Sequence, residues 1–322
     1  MPLLSVNNLS VHFSTGRGVI KAVDQVSYEL NAGETLGIVG ESGCGKSVSA
    51  LSLLRLIPSP PGKIVDGEIL FEGKDLLKAT KKELSSIRGN QIAMIFQEPM
   101  TSLNPVQRIG QQVREPLLVH KQMKTHRATV EAINALQKVR IPDSENRIKD
   151  FPHQFSGGMR QRAMIAMGLT CAPNLIIADE PTTALDVTIQ AQLLSLMKQL
   201  TRETGTALMV ITHNLGIIAR YADRVNVMYA GRIVEKAAAR DLYKHPKHPY
   251  TIGLMASVPQ LSQNVRERLM PIEGQPPDLA DLPAGCAFAP RCRLAIEKCR
   301  MESPVLRTVS EGHEVACWVD VE

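Results

Sequence analysis

Apolar residues fall along this chain in two patterns: short runs closed by turn residues, and longer stretches with helical spacing. VNNLSVHF (6–13), KAVDQVSYEL (21–30) and GEILFEG (67–73) read as short strands of an antiparallel region, with turns at Gly16-Arg17-Gly18 and Gly73. ETLGIVG, QIAMIF, NLIIAD, TALMVIT and RVNVMYAG predict a mainly parallel sheet packed by helices. Helical spacing marks VSALSLLRLI (48–57), VEAINALQKV (130–139) and Met159 to Leu169. TIQAQLLSLMKQLTRETG is the clearest helix, ended by Gly205. Residues of about 105–170 contain no good strand and read as a helical insertion. No internal repeat or low-complexity segment interrupts this order, so one catalytic unit per chain is expected.

Between the strand ETLGIVG and the helix that follows lies GESGCGKS, Gly40 to Ser47, which meets every fixed position of the phosphate-loop pattern. Gly40, Gly43 and Gly45 let the backbone turn tightly, so that its N–H groups surround a phosphate at the positive end of the next helix. Lys46 would reach the β- and γ-phosphates, and Ser47 would give its hydroxyl to Mg²⁺. Glu41, Ser42, Cys44 and Val48 complete the expected nucleotide contacts. A second element is NLIIADEP, an apolar strand ending in two carboxylates. Asp179, at the carboxyl end of a parallel strand, would hold Mg²⁺ through water. Glu180, pointing the other way along the pleat, would polarise an attacking water. A third element is FSGGMRQR: Ser156 reads as the natural cap of the helix beginning near Met159, whose positive end faces the glycines.

Taken in this order, residues 3 to 235 resemble the ATP-binding cassette (ABC) ATPases. The resemblance implies an α/β fold: a phosphate-loop NTPase core, an antiparallel β subdomain and a helical signature subdomain. It implies roles for further residues. Phe13 matches the aromatic that stacks on adenine, and Gln97, in AMIFQEP, the glutamine that links the metal site to the membrane partner. Ser156, Gly157, Gly158 and Met159 match the signature, in which Met159 and Arg160 depart from the commoner S-G-G-Q ending. Asp186, in TALD, matches the loop at the dimer interface, and His213, in VITHN, the switch histidine at the γ-phosphate. Catalysis is thus assigned to Glu180, His213 and Gln97, with Mg²⁺ on Ser47, Gln97 and Asp179. In this family the signature of one subunit faces the γ-phosphate bound by the other.

The remaining segment, 236–322, narrows the resemblance. HPKHPYTIGLMASVP, like EPMTSLNP after Gln97, is similar to the oligopeptide, dipeptide and nickel importer ATPases. A proline-led turn would there open a helix packed on the catalytic domain, and His245 and His248 read as turn residues rather than metal ligands. Cys286, Cys292, Cys299 and Cys317 are spaced C-x₅-C-x₆-C-x₁₇-C. No C-x₂₋₄-C knuckle is present, so the spacing fits a mononuclear zinc poorly. Four thiolates complete a [4Fe–4S] cluster, which the resemblance also implies; zinc and unliganded thiols are the alternatives. Trp318 and Pro290 are expected to shield the site. Cys44, near a helix N-terminus, is expected either to have a lowered thiol pKa and to be open to alkylation, or to be a tolerated loop residue. Cys171 reads as a small core residue.

Composition adds limits. With 322 residues, 44% hydrophobic and 21% charged, the chain suits an intracellular enzyme of two domains, or of one domain and an extension. A net charge of +5 without a basic arm, and acids interrupting Lys74 to Lys82, argue against nucleic acid as partner. MPLLSVNNLSVHF is no signal peptide and reads as an edge strand. No apolar run approaches the ~20 residues that cross a bilayer. The expectation is therefore a peripheral subunit on the cytoplasmic face of the cell membrane. It would work with two transmembrane permease subunits, a second, related ATPase chain and, indirectly, an extracytoplasmic solute-binding protein. The expected activity is ATP hydrolysis that energises peptide uptake. Nickel chelates are an alternative solute, and a non-transport cassette acting on nucleic acid or ribosomes the alternative class.

Overall fold

The computed structural model describes residues 1–16, 18–181, 187–257 and 272–321. Its strands are β1 (Leu4–Thr15), β2 (Gly18–Leu30), β3 (Thr35–Val39), β4 (Gly62–Phe71), β5 (Lys74–Asp75), β6 (Ile92–Ile95), β7 (Leu175–Asp179), β8 (Ala207–Thr212), β9 (Arg224–Tyr229), β10 (Arg232–Ala238), β11 (Arg307–Ser310) and β12 (His313–Val315). The chain forms two compact units. One comprises Met1–Leu30, Leu36–Lys78 and Ile211–Glu322; the other comprises Asn31–Thr35 and Ala79–Val210. Among the described residues, no helix is long and apolar enough to cross a membrane.

In the first unit an antiparallel sheet runs β2-β1-β4-β5. Here β1 is not the edge strand its sequence suggests, because it pairs with β2 on one side and β4 on the other. Leu4, Val6, Leu9 and Val11 are all fully buried. The exposed Asn7-Asn8 pair that mimics an edge is a bulge: the register shifts between Val6 and Leu9, and Asn8 adopts φ +49. A second set of strands in this unit runs β11-β12-β10-β9-β3, with β3 and β9 parallel and the others antiparallel.

The second unit carries β6, β7 and the first four residues of β8, with β6 and β7 parallel. Its helices Ile109–His120, Thr125–Lys138 and Gly157–Leu169 pack on one another, as the strandless stretch predicts. Ala128, Ala132 and Leu136, spaced four apart, form the buried stripe of the middle helix. Cys171 packs with Leu117 and Ala128, a core residue as expected. Val187–Thr204 is helical and stops before Gly205, whose φ of +69 is the left-handed conformation that ends helices.

Strands β10, β11 and β12 are not legible in the sequence, and a buried carboxylate hides the first of them. Glu235, which looks like a surface charge in RIVEKAA, is completely buried. It accepts the backbone N–H groups of Lys247 (2.6 Å) and His248 (3.0 Å) and faces His313 Nε2 at 2.8 Å. One side chain thereby joins β10, the HPKHP turn and β12. That turn opens the helix Pro249–Ala256 with proline at its start, and His248 Nδ1 accepts the Tyr250 N–H at 3.0 Å as its cap. His248 is therefore a turn histidine, as read from the sequence.

Burial lowers the His248 pKa to about 4, against a smaller opposing pull from the Ala316 backbone. Below its ordinary value of 6.5 the unfolded chain binds a proton that the folded chain refuses until about pH 4. Stability is thus lost as pH falls through that window, on the order of 1 kcal/mol per pH unit. His248→Asn keeps a capping oxygen without the titration. Its denaturation midpoint, followed from pH 7 to pH 4.5, should fall less steeply than that of the wild type; equal slopes would contradict the account.

Candidate nucleotide site and cysteine cavity

Each candidate residue sits where the local sequence forces the chain to turn. The fully buried strand β3 leads into Gly40, and the helix Lys46–Leu53 begins after Gly45 in the left-handed conformation. Gly45 cannot carry a side chain: a Cβ there would collide with the Ala22 carbonyl oxygen, at φ +101. A Cβ on Gly40 would meet the Met228 carbonyl oxygen and the Cys44 sulfur. The loop is held to the β9–β10 turn by the Gly231 N–H, which donates to the Cys44 carbonyl at 3.0 Å. Lys46 is buried, and its ammonium donates to the carbonyls of Gly40 (2.7 Å) and Glu41 (2.9 Å). A cation is thus fixed at the centre of a turn whose next helix presents its positive end, an arrangement that binds phosphate.

Cys44 does not carry the lowered thiol pKa that is one of its two expected readings. Burial pushes its thiol up, outweighing the opposing pull of the Lys46 ammonium, so it is not an activated thiolate. Phe13 lies in β1 between Ile20 and Gly62, its ring against the space a Gly62 side chain would fill.

In the second unit, the parallel register does the positioning. Ile95 pairs with Ala178, so the residues just beyond the two strand ends, Gln97 and Glu180, are brought level. The Gln97 amide donates to the Glu180 carboxylate at 3.1 Å. Asp179 closes β7 as a buried residue. Glu180 adopts φ +42, so a left-handed kink at the strand end, and not the pleat alternation read from the sequence, aims its carboxylate. In the signature, Ser156 accepts the Met159 N–H at 3.3 Å as the helix cap, as predicted. Arg160 donates to the Pro152 carbonyl at 2.7 Å. Among the described residues, nothing lies within 4 Å of a notional Cβ on Gly157, and one on Gly158 meets only Ile189, at an ordinary 3.9 Å. His213 is exposed directly after β8. Asp186, with the rest of TALD, lies outside the described residues.

The tail thiols share one cavity. Cys286, Cys292, Cys299 and Cys317 line it together with His248 and Trp318. Burial raises the pKa of Cys286, Cys292 and Cys317, and neighbouring thiols of the group add to the rise. The Cys286 N–H donates to the Cys299 carbonyl at 2.7 Å. Trp318 shields the cavity as expected, whereas Pro249 and Pro304, not Pro290, are the prolines in its wall. Among the described residues, no group of three or more His, Cys, Asp or Glu side chains is arranged to hold a metal ion.

The sequence reading missed Tyr250 and Arg291. The Tyr250 hydroxyl accepts the Glu41 N–H at 2.8 Å, and the Arg291 guanidinium grips the Glu41 carboxylate with two bonds of 2.7 and 3.0 Å. The only signal was the tyrosine of HPYT, whose partner lies 209 residues earlier in the chain.

Residues 23–183 match the ABC transporter family model, around the loop and strand ends just described. The chain belongs to the ABC transporter family. This ABC protein also matches, over residues 234–299, the C-terminal region of oligopeptide/dipeptide transporters. It is 52% identical to a probable peptide ABC transporter ATP-binding protein of Sinorhizobium fredii, covering 98% of this chain and 94% of that one. It is 51% identical, with the same coverage, to the dipeptide transport ATP-binding protein DppD of Bacillus subtilis. Among solved structures, an ATP-binding cassette dimer in a post-hydrolysis state with ADP and Pi superposes with TM-score 0.66 at 27% identity, covering 74% of this chain and 99% of that one. The ABC protein is accordingly an ATPase with the ABC fold.

Proposed function

We propose that this chain is the ATP-hydrolysing subunit of an importer that carries di- and oligopeptides across the cytoplasmic membrane. The tail carries the reading: residues 234–299 match the oligopeptide/dipeptide transporter type, and relatives named for dipeptide or oligopeptide transport align along 98–100% of the chain. Its partners are two transmembrane permease subunits and a second ATPase chain, related but different. A solute-binding protein delivers substrate from outside, and the chain itself lies peripherally on the cytoplasmic face.

The assigned roles follow the chemistry of each residue. Lys46 and the loop from Gly40 to Val48 bind the phosphates, and Phe13 the adenine. The oxygen donors Ser47, Gln97 and Asp179 suit Mg²⁺, which when bound offsets phosphate charge. Glu180 accepts a proton from the attacking water, oriented by Gln97, while His213 contacts the γ-phosphate. Gly157 and Gly158 support a signature that works on a second subunit's nucleotide. Neither has positive φ and neither is crowded by a described residue of its own chain. Glycine in a helix costs up to about 1 kcal/mol relative to alanine, so the absent side chains make room for something outside this fold. Asp186 is assigned to the same interface.

The four tail thiols are assigned to a [4Fe–4S] cluster. An all-thiolate donor set around one cavity supports it, four cysteine thiolates being the ligand number that such a cluster takes. Such a cluster supplies a structural crosslink or a one-electron couple.

Two measurements test these assignments. In the transporter purified with its permeases, Glu180→Gln should lower ATP turnover at least about a hundredfold while still allowing ATP-dependent closure of the paired ATPases; full hydrolysis in that variant would remove Glu180 as the base. Anaerobic purification should yield iron and sulfide in a ratio near one, with visible charge-transfer absorption lost in the Cys292→Ser variant. Stoichiometric zinc without iron would overturn the cluster.

A further inference from the structure

Glu41 stands in a variable position of the phosphate loop, yet all of its polar groups are held. Its N–H donates to Tyr250, its carbonyl accepts from Lys46, and its carboxylate takes a two-pronged grip from Arg291. The Arg291 side chain is only 5% exposed, and that of Glu41 25%. Arg291 is itself positioned by the Glu273 carbonyl at 3.0 Å and the Tyr229 hydroxyl at 3.3 Å, and its guanidinium lies 6.0 Å from the Phe288 ring centroid. Tyr250 is fully buried and packs against Tyr229 and Phe288. These anchors are all parts of one aromatic cluster, reached only after the chain has passed the catalytic motifs.

We propose that Arg291 and Tyr250 are positioning residues for ATP binding: the C-terminal extension acts as a clamp that fixes Glu41 and with it the phosphate loop. The physical case is preorganisation. A loop that binds phosphate through its N–H groups loses affinity when it must first be ordered. Pinning Glu41 at its N–H, its carbonyl and its carboxylate removes that cost at the residue where the strand gives way to the loop. The Glu41 N–H is committed to Tyr250, and its carbonyl also accepts the Cys44 N–H at 3.4 Å, so the start of the loop is closed on itself and on the extension. A charge-assisted, bidentate bond with one partner almost wholly buried is strong enough to hold this geometry.

The clamp also joins two features of the fold. Arg291 ends the short turn Ala289–Arg291, and Cys292 follows it directly. The Ala289 N–H donates to the Cys286 carbonyl and the Cys292 N–H to the Ala289 carbonyl. The turn that grips the phosphate loop is therefore suspended between two of the four thiols that line the cavity.

The inference rests on ATP being the ligand, which wild-type binding tests separately. MgATP titrated calorimetrically into the purified full-length chain, with kcat and KM from the transporter assembled with its permeases and second ATPase, gives the decisive comparison. Arg291→Ala should raise the ATP Kd and KM about tenfold while kcat stays within about twofold. Arg291→Lys, which keeps the charge but loses the fork, should fall between. In a Glu41→Ala background, Arg291→Ala should add almost nothing, because the partner is already gone. Unchanged Kd and KM in Arg291→Ala, or a full additional tenfold effect in the Glu41→Ala background, would overturn the clamp. Should Arg291→Ala fail to fold, Arg291→Lys and Glu41→Gln carry the same comparison.

Discussion

The structure of the nucleotide end of this protein depends on the closure of one turn, Gly40 to Gly45, around the Lys46 ammonium. Where side chains would be at Gly40 and Gly45, the carbonyls of Met228 and Ala22 already stand. The loop is therefore shaped by its neighbours as much as by its own glycines. Those carbonyls belong to β2 and β9, so the loop is seated directly against the antiparallel sheet and the β9–β10 hairpin. Lys46, buried with its charge, is satisfied by two carbonyls of the same loop. A buried cation so held is a costly arrangement unless it serves a charged ligand.

The catalytic pair obeys a different constraint. Gln97 and Glu180 lie 83 residues apart, and a single register of β6 on β7 brings them level. Because β7 is buried along its whole length and Ile92 and Ile95 are buried in β6, a slip in register would misfit packed side chains on both faces of the sheet. Packing in the core thus fixes a polar contact at the surface. The tail is organised by a third constraint, the buried Glu235, which brings strand, turn and terminal hairpin together around one carboxylate.

Much of this was legible in the sequence, for reasons that differ from place to place. Phosphate loop, acidic strand end and signature announce themselves because glycine and charge at fixed spacing have few structural explanations. Val187–Thr204 and the Ser156 cap were legible because helix periodicity and capping are local. What escaped was non-local. β1 looked like an edge because a bulge exposes Asn7 and Asn8; β10 was hidden because Glu235 reads as a surface charge. Cys44 stays open to two readings in a linear motif, and burial, which outweighs the pull of the lysine, decides between them. Arg291 was missed because its partner is 250 residues away.

In the proposed transporter, ATP hydrolysis by this chain drives peptide uptake through membrane partners. Proteoliposomes carrying both permeases, this chain and its related ATPase, supplied with the solute-binding protein, test it most directly. Labelled di- or oligopeptide should accumulate in the lumen that faces the ATPases, only with ATP and magnesium present, and peptide-loaded binding protein should stimulate hydrolysis several-fold. ATP turnover that responds to RNA or ribosomes but not to peptide, with no accumulation, would contradict it.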